Sequence, residues 1–279
     1  MPYPMPELPP RQLTAQELQH LRQEFPQMTQ NNTLRIGPPT NQYNCMAWSV
    51  GVTNAWLWPG ANKFKEFYTQ YGAHLVANGG IVAFGFALLD MKHGATNLQI
   101  PNYGRHWTSK LGVNPLVLHS LDALSGSGSI YGDPLQYYTP QPPLAESWIG
   151  EEIIMYQLTE AEISTLQDRI NRLSQDVREQ FTRAYDRWKQ TWSQPAILAS
   201  SDPQVRARSK EFDDLVAMGQ VIVPLLIREM SVEHDFFALQ AVEKLVPPDI
   251  VFRPAIGDPE FLGGEQLRAH MTARRWLAS

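Results

Sequence analysis

Cys45 is the only cysteine among the 279 residues, and its surroundings make it a candidate nucleophile. It lies in "NQYNCMAWSVG", where Asn44 is followed by an apolar run with helical character. Asparagine at the N-cap would place Cys45 in the first helical turn, where the helix dipole and free N–H groups favour a thiolate. A single cysteine at the start of a hydrophobic helix is also a common core residue. The sequence therefore predicts either an activated thiol or an inert one.

Three histidines could supply the base that a cysteine nucleophile needs: His93, His106 and His119. All three fall in or beside strand-like segments of a predicted antiparallel meander. A cysteine at a helix N-terminus that faces a histidine on an antiparallel sheet is the geometry of papain-like hydrolases. Each histidine could instead be structural, for example by satisfying a backbone carbonyl.

Polar and aromatic neighbours could complete such a site. The side chain of Gln42 or Asn44 could donate to an oxyanion together with the Cys45 N–H group, or could serve only as a turn or cap residue. Trp107 is predicted to form part of the core and a wall of the substrate pocket.

A serine–lysine pair is not favoured. Ser109 and Lys110 are adjacent in a strand-like segment, so their side chains should point to opposite faces of the sheet. Asp133, in "YGDP", is a carboxylate alternative to His119 as the residue that orients the base. Aspartate before proline is equally typical of a turn.

Helices are predicted to come first along the chain. Thr14 and Glu17 form a capping box at the start of "TAQELQHLRQEF". A second helix is predicted over residues 45–56, and a third over "NKFKEFYTQYG", whose aromatic residues recur at i, i+3, i+4 and i+7.

Three strands are predicted to follow: Ile81–Leu89, Thr96–Ile100 and His106–Leu111. The connections "DMKHG" and "PNYG" have the length and residue types of hairpin turns. Helices followed by an antiparallel meander predict an α+β fold.

The second half of the chain has a helical pattern. We expect an N-terminal tail and short helix over residues 1–30, a papain-like α+β domain over 31–140 and a helical domain over 148–279, with the boundary in the proline-rich segment 139–147. Apolar spacings of three and four predict one helix over 159–192, roughly 50 Å long.

The helical half shows no catalytic constellation. Residues 205–245 resemble a HEAT-like pair of helices, in which a glycine breaks the first helix and a proline opens the second. Such pairs bury one apolar face by stacking. The expected role is packing against the first domain or docking a protein partner.

Composition excludes several function classes. The net charge of −5 argues against binding nucleic acid, which depends on clustered lysine and arginine. One cysteine allows no intrachain disulfide, and no spacing suggests a metal site, so we expect neither metal nor organic cofactor. The N-terminus lacks the features of a secretory signal, and no apolar run is long enough for a membrane span. We expect a protein made in the cytoplasm, which a specialised secretion system could export.

Several motifs together resemble a largely uncharacterised bacterial and fungal family: "YNCMAW", "WLWPG", "HWTSKLG", and His119 followed by "IYG". The resemblance covers about residues 40–135 and implies a papain-like cysteine hydrolase with Cys45 as the nucleophile. It favours His93 as the base, by way of a four-residue insertion, over His106, and it lets His119 orient the base. More loosely, the chain is similar to secreted Cys/His/Asp effectors that deamidate side chains of host proteins.

The expected activity is thiol-dependent hydrolysis of an amide in a protein or peptide substrate. The Cys45 thiolate would attack, His93 or His106 would exchange the proton, and water would resolve the acyl-enzyme. Peptide cleavage, side-chain deamidation and transacylation share this chemistry. The alternative is a catalytically silent papain-like protein that binds partners through its helical surface.

Overall fold

The protein is described by a computed structural model that covers residues 9–100, 102–139 and 156–279. The chain divides into two compact units, Met1–Glu146 with Leu198–Asp202, and Ser147–Ile197 with Pro203–Ser279. The first unit combines a sheet with helices and the second is helical, so the α+β prediction is confirmed. Apart from Thr139, the predicted boundary segment 139–147 lies outside the described residues, as do residues 1–8 of the predicted tail.

The first unit is built on an antiparallel sheet of eight strands. The strands are β1 (Arg11–Gln12), β2 (Thr33–Gly37), β3 (Leu75–Val76), β4 (Ile81–Ala87), β5 (Asp90–Ile100), β6 (Gly104–Lys110), β7 (Leu116–His119) and β8 (Asp133–Tyr138). They lie in the order β1-β2-β7-β6-β5-β4-β8-β3, and each neighbouring pair is antiparallel. Strands β4 to β7 are consecutive in both chain and sheet; β4, β5 and β6 form the predicted three-stranded meander, and β7 extends it.

The hairpin between β4 and β5 differs from the prediction. "DMKHG", expected to be a turn, belongs to β5, and the turn is at Leu88–Leu89. Leu88 and Leu89 are 59% and 75% exposed, so two apolar residues that extend the hydrophobic pattern of β4 lie at the tip of the hairpin. As a consequence, His93 lies within a strand, opposite Phe84, rather than at its start.

Within the described residues, three α-helices accompany the sheet: α1 (Ala15–Leu21), α2 (Cys45–Ser49) and α3 (Phe64–Gln70). The capping box predicted at α1 is present. The second helix is much shorter than the predicted 45–56, because its last turn is followed by Gly51 at φ 82°. Helix α3 buries Phe64, Phe67 and Tyr68, as its aromatic spacing predicts.

One face of the sheet carries a core formed with the N-terminal segment. Val82, Phe84 and Ala95 from β4 and β5 join a buried cluster whose other members are Leu13, Leu21, Phe25, Met28, Leu111, Val117, Leu124, Tyr131 and Ala199. Ala199 is distant in sequence from all the others, which brings the segment Leu198–Asp202 into the core of the sheet unit.

The helices of the second half are α4 (Glu160–Asn171), α5 (Gln175–Thr191), α6 (Pro195–Ala199), α7 (Lys210–Val216), α8 (Val223–Ser231), α9 (Leu239–Leu245) and α10 (Gly264–Ala278). Single 3₁₀ turns at Pro203–Ala207, Gln220–Ile222, Phe236–Ala238 and Pro259–Gly263 connect several of them. Pro224 opens α8, after Gly219 at φ 77°. No helix within the described ranges has the length and apolar character needed to cross a bilayer.

The single helix predicted over 159–192 is wrong. The chain instead forms α4 and α5, because the Ser174 side chain accepts a hydrogen bond from the Val177 N–H group (3.2 Å) and starts a new helix. The Arg178 side chain donates to the Leu173 carbonyl (2.8 Å), so that carbonyl is satisfied at the break. The predicted capping box at the start of α4 is present.

Candidate active site

The position of Cys45 depends on Asn44, which is the N-cap of α2. The Asn44 side chain accepts a hydrogen bond from the Ala47 N–H group (3.1 Å) and donates to the Leu57 carbonyl (2.6 Å). Trp48, one turn along α2, donates from Nε1 to the Thr108 hydroxyl on β6 (3.0 Å). These bonds hold the short helix on the sheet, with Cys45 at its first position and fully buried.

Leu198–Asp202, which we call the strap, covers the thiol. The Ser201 Oγ atom lies 3.1 Å from the Cys45 Sγ atom. Three strap carbonyls accept hydrogen bonds from the sheet unit: that of Leu198 from the Val113 N–H group (2.8 Å), that of Ala199 from the Tyr131 hydroxyl (2.7 Å) and that of Ser201 from Trp56 Nε1 (2.8 Å). The strap is therefore bound mainly through its backbone.

Gly112 permits the close approach of the strap. Its φ is +58°, a conformation that favours glycine, and a Cβ atom there would lie 2.2 Å from the Leu198 carbonyl oxygen and 2.6 Å from the Ala199 carbonyl carbon. Any side chain at this position would push the strap away from the sheet.

The pKa of the Cys45 thiol is subject to opposing influences. Burial raises this pKa to about 11, whereas the Ser201 hydroxyl and the N–H groups of Gly94, Met46 and Cys45 itself act to lower it. Gly94 lies beyond the paired part of β5 and β6, which begins at Thr96 and Thr108. In this arrangement the thiol is protonated at neutral pH, but it lies among donors that would stabilise a negative charge.

His93 is a buried histidine whose hydrogen-bonding groups are unused. It is fully buried, its ring stacks on Tyr131 with a centroid separation of 3.9 Å, and neither ring nitrogen has a hydrogen-bond partner among the described residues. Burial, with a smaller contribution from His119, lowers the pKa of His93 well below its ordinary value. The side chain is therefore a neutral imidazole, and the Tyr131 on which it stacks also binds the strap.

The other two candidate histidines form hydrogen bonds with residues other than Cys45. His106 is on β6, where its Nε2–H group donates to the Tyr103 carbonyl (2.6 Å). His119 is buried on β7; its Nδ1–H group donates to the Ser120 carbonyl (2.8 Å), so its neutral Nε2 accepts from the Ser109 hydroxyl (2.8 Å). Within the described parts of the chain, none of the three candidate histidines is hydrogen-bonded to the Cys45 sulfur.

The predicted substrate-binding residues are spread over the unit. Gln42 is exposed, with its N–H group bonded to the Thr40 hydroxyl (3.1 Å), whereas the Asn44 side chain is used in the cap. Trp107 lines a cavity of about 710 Å³ together with Asn97 and Tyr137. Cys45 does not line this cavity.

Sequence reasoning missed two residues that bear on the thiol: Ser201, which contacts it, and Lys110, which interacts with it electrostatically. Ser201 is 156 positions away, and no local pattern marks it. The Lys110 ammonium is buried and donates to the carbonyls of Thr40 (2.9 Å), Gly112 (2.6 Å) and Asn114 (2.6 Å). Burial lowers the pKa of Lys110 to about 7, and the nearby Cys45 acts in the opposite direction. The signal was present in the sequence, as a lysine inside an otherwise buried strand pattern.

In a comparison with known families, residues 35–139 fit the model of a domain of unknown function, DUF7689. This range contains Cys45 and the three candidate histidines but not the strap. No match was found among curated proteins or among solved structures.

Proposed function

We propose that this protein is a thiol-dependent amide hydrolase in which Cys45 is the nucleophile. The observation that carries the proposal is that the Cys45 sulfur lies 3.1 Å from a buried hydroxyl, while the backbone N–H groups of Gly94, Met46 and Cys45 act to lower its pKa. A buried cysteine that only fills space needs no donors around it, whereas donors held in place lower the energy of an anion that forms during reaction.

His93 is the base in this proposal. A general base must be unprotonated and must have a free nitrogen, and the neutral His93 ring meets both conditions. The ring is confined by Tyr131, whose hydroxyl holds the Ala199 carbonyl of the strap. Release of the strap frees Tyr131 from that bond, and the proposal requires His93 then to turn towards the sulfur.

The described arrangement is the closed, resting form of the site. The strap excludes any substrate from Cys45, and burial keeps the thiol protonated. Once the strap leaves, water reaches the sulfur, the burial contribution to its pKa falls, and the backbone N–H groups remain. The thiolate then attacks the amide carbonyl, the amine leaves with the proton taken up by His93, and water hydrolyses the thioester.

The rival function is a catalytically silent binding protein. The pKa of about 11 and the complete burial of Cys45 favour it, because both are typical of an inert core thiol. In that case the strap is a permanent part of the core, and the helical half carries the binding surface.

Gly112→Ala tests the proposal because its Cβ displaces the strap. Gly72→Ala is the matched control: Gly72 also has a positive φ, +90°, but no atom lies within 4 Å of a Cβ there. We expect iodoacetamide to alkylate Cys45 in Gly112→Ala about tenfold faster than in Gly72→Ala, the change that corresponds to a loss of ~1.4 kcal/mol in strap affinity.

The unfolded protein in urea supplies a reference for an ordinary thiol. The hydrolase proposal predicts that folded Gly112→Ala reacts faster than this reference near neutral pH, because the N–H groups stabilise the thiolate. A folded Gly112→Ala protein whose thiol reacts more slowly than the reference would contradict it and support the rival.

A further inference from the structure

The strap presents a side chain to the sulfur rather than a peptide bond. The atom 3.1 Å from Cys45 Sγ is Oγ of Ser201, whereas the Ser201 carbonyl oxygen is bound by Trp56 Nε1 at 2.8 Å. Ser201 is almost completely buried, so its side chain fills the space in front of the thiol.

Three of the contacts that hold the strap are made by its backbone. Val113, Tyr131 and Trp56 each donate to a backbone carbonyl, and every residue type offers that acceptor. A segment of another protein with the same backbone path could make the same three hydrogen bonds. The residue in the place of Ser201 would then point its side chain at Cys45.

Stereochemistry selects the side chain that suits this position. In serine and asparagine the γ atom is bonded to Cβ, so at equal χ1 the carboxamide carbon of asparagine takes the place of the serine Oγ atom. That carbon would lie near 3 Å from the sulfur, within the range of about 3–3.5 Å in which bound reactants are poised to react. In glutamine the carboxamide carbon is one bond further along the side chain.

His93 gives an independent sign that the site is built to move a proton. Both of its ring nitrogens are buried without a partner among the described residues, and such groups are costly unless they have a use. Its ring is stacked on Tyr131, which binds the occupant of the site.

We propose that the strap is bound as a substrate analogue and that the site deamidates an asparagine side chain in a protein segment, with Ser201 in the place of that asparagine. This inference rests on the proposed hydrolase function. The Cys45 sulfur bonds to the carboxamide carbon, the C–N bond breaks, and ammonia leaves with the thiol proton. Water then cleaves the thioester, which leaves aspartate and regenerates the thiol.

The test within one chain is Ser201→Asn. We expect residue 201 to be converted to aspartate, detected as the corresponding mass increase and located by fragmentation of the peptide. The matched control is Cys45→Ala combined with Ser201→Asn, which measures spontaneous deamidation at the same position. Conversion that depends on Cys45 supports the proposal, and equal conversion in the two proteins contradicts it.

A second assay decides the matter if Ser201→Asn does not fold. Blocked peptides with the sequence Leu-Ala-Ser-Asn-Asp, or with Gln or Ser in the fourth position, are offered to the Ala199→Asp chain, and ammonia is measured. Ala199 is buried in an apolar cluster, so an aspartate there displaces the strap, whereas Gly112 is kept and leaves room for a peptide backbone on the same path. We expect release from the asparagine peptide alone. If the Ala199→Asp thiol reacts rapidly with iodoacetamide but no ammonia appears, or only the glutamine peptide releases it, the asparagine assignment is wrong and the hydrolase proposal stands. If the thiol itself is unreactive, both fail.

Discussion

Strands β5 and β7 each bury a histidine completely, on the same face of the sheet, and the two are used in opposite ways. His119 on β7 has both ring nitrogens hydrogen-bonded, to Ser109 and to the Ser120 carbonyl. His93 on β5 has neither nitrogen bonded within the described residues and is held only by ring contacts with Tyr131 and Phe84. Burial lowers the pKa of both. The comparison separates His119, whose hydrogen bonds stabilise the fold, from His93, whose ring nitrogens are available for another use.

The largest expected effect is on reactivity. In the Gly112→Ala background, His93→Phe should lower the rate of Cys45 alkylation by roughly 10²-fold, at the low end of what a general base contributes. Phenylalanine keeps the ring stacked on Tyr131, so the melting temperature should change little. The measurement is the alkylation rate constant, with His119→Phe in the same background as the control that should leave it unchanged. Equal alkylation rates in His93→Phe and His119→Phe would contradict the assignment of His93 as the base.

The second effect is on stability. Here we expect His119→Phe to have the larger effect and His93→Phe the smaller one. His119→Phe leaves the Ser109 hydroxyl without its partner in the core, whereas the Ser120 carbonyl still accepts from the Ala123 N–H group (3.2 Å). We expect the free energy of unfolding in urea to fall by about 1–3 kcal/mol, the cost of leaving one buried polar group unsatisfied. Ser109→Ala should recover part of this loss when combined with His119→Phe. Greater destabilisation by His93→Phe than by His119→Phe would reverse our assignment.

The smallest effect is a pH dependence. The folded pKa of His119 is about 4, below its ordinary value of 6.5 because of burial, so the unfolded chain binds more protons between these two values. The His119 contribution to stability should therefore be constant above about pH 6.5 and should fall as the pH drops towards 4, by a total of about 3 kcal/mol. Buried His93 and His270 act in the same direction.

Urea denaturation at pH 7 and pH 5 measures this loss. At pH 5, about 1.5 units below the ordinary histidine value, roughly 2 kcal/mol of the His119 contribution should already be gone. His119→Phe and His93→Phe should each show a smaller difference between the two pH values than the unmodified protein. A difference unaffected by either substitution would place the titrating group elsewhere.

Local features of the fold could be predicted from the sequence because the interactions that determine them are local. The capping boxes at Thr14 and Thr159 require only a glutamate three residues later, and both form. The break at Ser174 was missed because apolar residues keep their spacing across it, so periodicity continues where the hydrogen bonding changes. Leu88 and Leu89 misled the strand prediction for a similar reason, since hydrophobicity alone does not place a residue inside.

The candidate site could be predicted only in part. The position of Cys45 behind an asparagine cap follows from adjacent residues and is confirmed. Its contact with Ser201 joins positions separated by 156 residues, and such a pairing depends on how the whole chain folds back. The hydrogen bonds of His119 likewise depend on strand register, which pairs β6 with β7 and brings Ser109 next to it.

The distance in sequence between the thiol and its cover has a consequence for the protein while it is being made. Synthesis at about 5–20 residues per second leaves an interval of roughly 8–30 seconds between the appearance of Cys45 and that of Ser201, 156 positions later. The nascent chain can form the sheet in this interval but cannot close the site. Every newly made molecule therefore passes through a stage in which its thiol is open to the cell, and electrophiles or oxidants that spare the finished protein can modify the nascent one.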